Sequence, residues 1–348
     1  MTKKMKIISG GILVAAVVAG LAVLKTKDSQ TSDEDTEMTE TVAKPVGPAF
    51  NPDSAFAFTA KQCDFGPRVM NSEAHDRCGA WIVSKFKAYG CTVEEQKADL
   101  KGYDGTMLHS TNIIARFRPE AKRVMLCAHW DARPWADNDP DSTNHRKPVM
   151  AANDGASGVA VMIEVARQLS LMEKEQDGAK RLPADVGIDF VCFDAEDWGL
   201  PQWETNMDEV GDTWALGALH FSTNLPAGFS PEFAVLLDMV GGEGAQFYRE
   251  GMSVQYAPDV VNRVWNAARE AGFGSYFPND VGGMVTDDHI PLNEKAGIPT
   301  ADVIPYYPDC QQSSFGPTWH TIHDTMDHID KGVLQAVGQT MIQMLWTL

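Results

Sequence analysis

The run Val186-Gly187-Ile188-Asp189-Phe190-Val191-Cys192-Phe193-Asp194-Ala195-Glu196-Asp197 constrains the fold of this chain more than any other stretch. Apolar and β-branched residues dominate it, and it is too short for a typical helix, so it reads as a strand. It ends in two adjacent acids. Such a strand delivers carboxylates to the carboxyl edge of a sheet, where open α/β folds build their sites. Adjacent acids can divide the labour there, one holding a cation and the other moving a proton. An acidic pair on its own is more often a solvated strand end, so the company it keeps decides the reading.

The flanking pattern alternates strands with helices. Asn112–Arg118 and Arg123–His129 read as strands parted by Pro119-Glu120-Ala121-Lys122, and Glu232–Val240 and Ile298–Pro305 as two more. Helical spacing runs over 51–63, 72–89, 156–175, 214–223, 259–271 and 330–347, with Ser72 and Asp330 placed as caps. Long polar loops occupy 133–148 and 198–212. This alternation implies a largely parallel sheet covered on both faces.

An apolar content of 44% with 22% charged residues is ordinary for a globular enzyme. The net charge of −19 argues against a nucleic-acid partner, because phosphate would be repelled. Part of that charge sits in residues 28–48, an acidic Ser/Thr-rich stretch that reads as a disordered spacer. Ahead of it, residues 1–27 hold an uncharged apolar run over 7–24 between lysines. That run is an export signal or a membrane anchor, and either fate puts the body outside the cytoplasm. Residues 49–348 then form one domain. The six cysteines lack CxxC spacing and allow fifteen pairings. Cys127 and Cys192 fall in apolar strands and are expected as buried thiols.

Several strand ends or following loops carry a residue able to ligate a metal. These are His129-Trp130-Asp131, then Asp154, then Glu196-Asp197, then Asp238, with His320 in a loop far downstream. The sheet brings them to one rim, and imidazole with carboxylate suits zinc. Strand alternation points His129 and Asp131 to the same side, so Asp131 can orient the imidazole. Singly each is weak: a lone histidine is usually a surface residue, and an aspartate ahead of a helix is usually a cap. Recurrence at strand ends is what gives them weight.

The order His129-x-Asp131, Asn153-Asp154-Gly155-Ala156-Ser157-Gly158, Phe193-Asp194-x-Glu196-Asp197, Leu236-Leu237-Asp238 and Trp319-His320-Thr321 resembles the zinc aminopeptidase and glutaminyl cyclase superfamily over residues 50–348. Phe65-Gly66-Pro67-Arg68, Asn112–Arg116 and Asp324-Thr325 are supporting stretches. The resemblance implies a three-layer α/β/α sandwich around a twisted, mostly parallel mixed sheet. It makes residues 49–348 a single zinc-dependent catalytic domain.

The glutaminyl cyclase branch is the more similar. Gly282–Pro291 is similar to its Asp-Asp-His-Ile-Pro signature, and Trp203, Phe315 and Trp319 fit its pattern. The resemblance implies one zinc held by Asp154, Asp197 and His320, with Glu196 shuttling a proton. Asp238 and Asp287 become hydrogen-bonding catalytic acids, and Trp203, Phe315 and Trp319 line the substrate pocket. The implied partners are peptides or proteins with an N-terminal glutamine, cyclised to pyroglutamate with release of ammonia.

A two-zinc aminopeptidase is the alternative: His129 and Asp238 hold a second metal, Asp154 bridges, and Glu196 is the general base. A non-catalytic binding protein on the same scaffold is disfavoured by the intact Glu196. The chain departs from the pattern at Asp197, where many relatives carry Glu. It also has Ala128 and Val159 where the animal enzymes pair two cysteines, and a longer stretch between Asp288 and Trp319. The leader and the Cys310–Ser314 loop look like bacterial versions, implying the periplasm or the outer face of the inner membrane. A monomer is expected, since no helix presents an obvious unpartnered apolar face.

Overall fold

Apolar strands buried on both faces frame the computed structural model, which describes residues 44–174, 182–204 and 213–348. Six strands make one sheet: β1 (Thr92–Lys101), β2 (Met107–Phe117), β3 (Lys122–His129), β4 (Val186–Phe193), β5 (Ala234–Leu237) and β6 (Thr300–Val303). Their order is β1-β2-β4-β3-β5-β6. The last four run parallel to one another, and β2 and β1 extend the sheet antiparallel.

The helices are α1 (Pro52–Cys63), α2 (Glu73–Ala88), α3 (Ala156–Lys174), α4 (Leu216–Thr223), α5 (Gly251–Tyr256), α6 (Pro258–Glu270) and α7 (Lys331–Trp346). Asn51, Ser72 and Asp330 cap α1, α2 and α7 by accepting from Ser54, His75 and Gly332. Along β3, Val124, Leu126 and Ala128 join the large core with α1, α2, α3, α6 and α7, whereas Met125 and Cys127 join a second core with α4. The result is the expected three-layer α/β/α sandwich around a mostly parallel mixed sheet. Burial on both faces explains why β4 shows no polar alternation.

Two features escape the sequence pattern. β1 alternates between exposed and half-buried residues and carries Glu94, Glu95, Lys97, Asp99 and Lys101. It lies at the sheet edge and pairs only with β2, where charges discourage further strand addition. β5 and β6 are four residues each, shorter than the strands expected over Glu232–Val240 and Ile298–Pro305.

α3 packs very close to β5: a Cβ on Gly158 would fall 2.1 Å from the Leu237 carbonyl oxygen. That contact sets the start of α3, and the Asp154 turn before it, over the strand ends. The chain is tied to the body from Lys44, whose N–H donates to the Glu270 carbonyl, while Gln343 and Gln339 of α7 accept from Val46 and Phe50. The leader expected over 1–27, the spacer of 28–48 up to residue 43, and residues 205–212 of the second polar loop lie outside the described residues. Among the described residues no helix is long and apolar enough to cross a membrane. All six cysteines are free thiols, with Cys127 and Cys192 fully buried.

Candidate metal centre

The carboxyl ends of β3, β4 and β5 open onto a cleft of about 270 Å³ lined by Asp154, Glu196, Asp238, Asp287 and His320. The backbone that delivers these groups is strained. Ala151, Ala195, Ala215, Met239 and His320 all adopt left-handed φ, between 50° and 58°, a region that costs an L-residue roughly 1–3 kcal/mol.

Neighbouring polar groups hold the turns at Ala151, Ala195 and His320 in place. The two carboxylate oxygens of Asp131 accept the N–H groups of Glu196 and Asp197, both at 3.1 Å. Asp324 accepts those of Asn153 and Asp154 at 2.7 and 3.0 Å. Asn138 donates its N–H to the His320 carbonyl and its side-chain amide to that of Trp319. The Arg68 guanidinium donates to the carbonyls of Trp130, Met150 and Ala151, which accounts for the Gly-Pro-Arg stretch noted in the sequence.

His320 Nε2 lies 3.3 Å from Asp197 Oδ1 and 3.5 Å from Asp154 Oδ2. Ligands bonded to zinc at roughly 2.0–2.1 Å on neighbouring corners of a tetrahedron are about 3.3 Å apart. The second Asp197 oxygen is buried without a hydrogen-bond partner. This donor set therefore fits a zinc ion in both chemistry and spacing.

His129, Asp154 and Asp238 form a second group within ligand reach. Here His129 Nε2 is 2.9 Å from Asp154 Oδ1 and 3.2 Å from Asp238 Oδ1, the first a hydrogen-bond length. His129 Nδ1 lies 3.4 Å from Asp131, as strand alternation requires. Asp287 joins a third buried group with His289 and Asp302.

Electrostatics separate the acids. Burial alone would raise Asp154, but hydrogen bonds from His129 and His320 outweigh it and hold the carboxyl below its ordinary value. Burial pushes Glu196 well above the usual glutamate range; His129, 3.9 Å away, works against this, and Asp197 and Asp287 work with it. Burial, then the charge of Asp238, lifts Asp287 to about 7. A carboxyl with raised proton affinity beside one that stays ionised is the pairing that proton transfer needs.

Phe315 and Trp319 line the cleft, with ring centroids 4.9 Å apart. Trp203 does not line it: Trp203 packs edge-on to Trp135 and under the Arg146 guanidinium. Trp214 takes the cleft position instead, its ring near-parallel to the His320 imidazole.

The sequence reading also passed over Arg133. It is buried, forms two hydrogen bonds with Asp137, and reaches the Asp197 carbonyl at 3.1 Å and Asp197 Oδ1 at 3.4 Å. Asp137 in turn lies 3.6 Å from His320 Nδ1. One ion pair thus braces two of the three candidate ligands. The Arg133-Pro-Trp-Ala-Asp137 run, a buried-type ion pair inside a loop that otherwise reads as polar, was the available signal. Arg133→Lys keeps the charge but not the planar fork. It is expected to weaken zinc retention about tenfold in a chelator competition titration; unchanged retention would remove Arg133 from this role.

Comparison with known proteins adds a second line of observation. The profile of peptidase family M28 matches residues 112–345. The chain is similar to the crystal structure of Bacteroides thetaiotaomicron glutaminyl cyclase bound to N-acetylhistamine, at 46% identity over 87% of this chain and 99% of that one, with a TM-score of 0.80. It is likewise similar to Tannerella forsythia glutaminyl cyclase, at 46% identity over 86% and 100% of the two chains, TM-score 0.81. An aminopeptidase of Bacillus subtilis, YwaD, is 30% identical over 76% of this chain. The match spans half the length of that aminopeptidase.

Proposed function

The chain belongs to peptidase family M28, and from that premise we propose that it is a zinc-dependent glutaminyl cyclase. It converts the N-terminal glutamine of peptides or proteins to pyroglutamate and releases ammonia. The likeness to two glutaminyl cyclases at 46% identity, over 99% and 100% of their lengths, carries this reading. The site geometry supports it. Asp154, Asp197 and His320 are spaced for one zinc, and Glu196 stands beside them with a raised proton affinity.

Zinc, when bound, supplies a Lewis acid beside the glutamine side-chain amide. The chain's own residues do the rest. Phe315, Trp319 and Trp214 fold the glutamine back on itself and exclude water, so that the α-amine meets the amide carbon. The amine nitrogen forms the new C–N bond. Glu196 accepts the proton that nitrogen loses and returns it to the departing amide nitrogen, which leaves as ammonia. Asp238 and Asp287 hold the hydrogen-bond network around the reacting carbon. In this reading the protein is exported by residues 1–27 and acts as a monomer.

The second candidate metal group, His129 with Asp154 and Asp238, and the 30% identity to an aminopeptidase favour one competing outcome, hydrolysis by a two-zinc site. Product and metal content separate the two. We expect a Gln-initiated peptide to lose one ammonia, with about one zinc per chain, and a chelator to abolish the reaction. Release of a free amino acid with two zincs per chain would overturn the proposal.

A further inference from the structure

Asp194 stands at the start of the turn that presents Glu196, and its carboxyl is fully buried. Oδ1 accepts the Ala195 N–H at 3.0 Å, and Oδ2 accepts the Thr111 N–H at 2.6 Å. The Asp194 N–H donates to Asn112 Oδ1 at 3.0 Å. Its side-chain partner is His75, whose Nε2 lies 2.8 Å from Oδ1. Asp194 therefore ties the left-handed Ala195, at φ 52°, to both β2 and α2.

His75 is itself held firmly. It lies in the first turn of α2, where its N–H donates to the Ser72 cap. Its ring stacks on Trp130, with centroids 4.1 Å apart and planes 20° apart. Gly79, one turn further along α2, leaves room for that indole: a Cβ there would fall 2.8 Å from Trp130 Cη2. Burial alone would lower the His75 imidazole, but the charge and hydrogen bond of Asp194 outweigh it and hold the ring above its ordinary value. Nδ1 has no hydrogen-bond partner, the exposed Asp76 standing 3.5 Å away, so the ring acts through Nε2.

Glu196 depends on this turn. Its carboxyl is 3.9 Å from His129, beyond hydrogen-bond length. A shift at Ala195 therefore swings that carboxyl, whereas Asp197 has the second grip of Arg133. His75 does not line the cleft.

We propose that His75 is a positioning residue for Glu196: by donating to Asp194 it fixes the turn that aims the proton-carrying carboxyl at the substrate amine. The inference rests on the cyclisation reading, with Glu196 as its proton carrier.

The test is steady-state turnover of a Gln-initiated peptide, with zinc content measured on the same protein. His75→Phe keeps a ring on Trp130 and removes the donor. It is expected to lower kcat about tenfold with KM and zinc content held, a part-ångström misplacement where a full ångström costs roughly a hundredfold. His75→Gln, which returns an N–H near the Nε2 position, should recover most of the loss. In a Glu196→Gln background His75→Phe should be nearly silent, because residues that act as one unit are not additive; a loosened fold would lower the residual rate further. If His75→Phe fails to fold, Asp194→Asn breaks the same link from the other side, and the fall in kcat and its silence in the Glu196→Gln background are expected again. An unchanged kcat in a folded variant, a loss that His75→Gln does not recover, or an equal loss in the Glu196→Gln background would overturn the positioning role alone. No cyclisation by the wild type would overturn the cyclisation reading and this proposal with it.

Discussion

Glu196→Gln is expected to cut kcat on a Gln-initiated peptide about a thousandfold while leaving zinc content unchanged. Glutamine keeps the length and shape of the side chain but cannot take a proton from the attacking amine. General acid–base catalysis by one positioned group is worth roughly 10²–10⁴-fold, and a thousandfold loss corresponds to about 4 kcal/mol of barrier. The expected retention of zinc rests on the candidate ligand geometry: among the described residues Glu196 belongs to none of the groups within ligand reach, the candidate triad of Asp154, Asp197 and His320 included. The backbone turn should also survive, since Asp131 grips it through the N–H groups of Glu196 and Asp197 and not through the Glu196 side chain. Turnover and metal analysis on the same preparation decide the matter. Near wild-type rates would remove Glu196 from the chemistry, and loss of zinc would make it a ligand. An aminopeptidase would lose as much, so this variant tests the role of Glu196 and the product assay tests the reaction.

His320→Asn is expected to release the metal. His320 is 2% exposed and stands between Asp154 and Asp197. Its φ of 54° is left-handed, and asparagine tolerates that region better than alanine. The substitution therefore isolates loss of the imidazole from loss of the turn. Without it two buried carboxylates face each other with one cation-binding donor fewer, and zinc affinity should fall at least about a hundredfold, beyond what an outer-shell change costs. Added zinc should raise the melting temperature of the wild type by mass action, and the variant should show little of that rise at the same concentration. A variant that keeps stoichiometric zinc through dialysis and retains the thermal response would exclude His320 as a ligand.

Much of the site could be read along the chain because each part is a short local signal. An apolar strand running into acids needs only neighbours in sequence to be recognised, and so does a histidine closing a strand or an aspartate ahead of a helix. Trp203 and Trp214 show the limit. Both lie in or beside one polar loop, and family likeness favoured the first, yet packing against Trp135 and Arg146 draws Trp203 away while stacking on His320 brings Trp214 in. β1 was passed over because an edge strand is held by backbone pairing, and its side chains are free to be charged. Arg133 and Asp137 gave no periodic signal, since their partners Asp197 and His320 are distant in sequence.

By itself, then, the sequence determined the alternation of the buried strands with the long helices, the sandwich class and the acids at the strand ends, since hydrophobic period and turn chemistry are properties of adjacent residues. Only the tertiary structure decided which of those acids stand within reach of one ion and which indole faces the imidazole. Those outcomes depend on the placement of β4 between β2 and β3 and on loops packing across the rim, contacts between residues far apart along the chain.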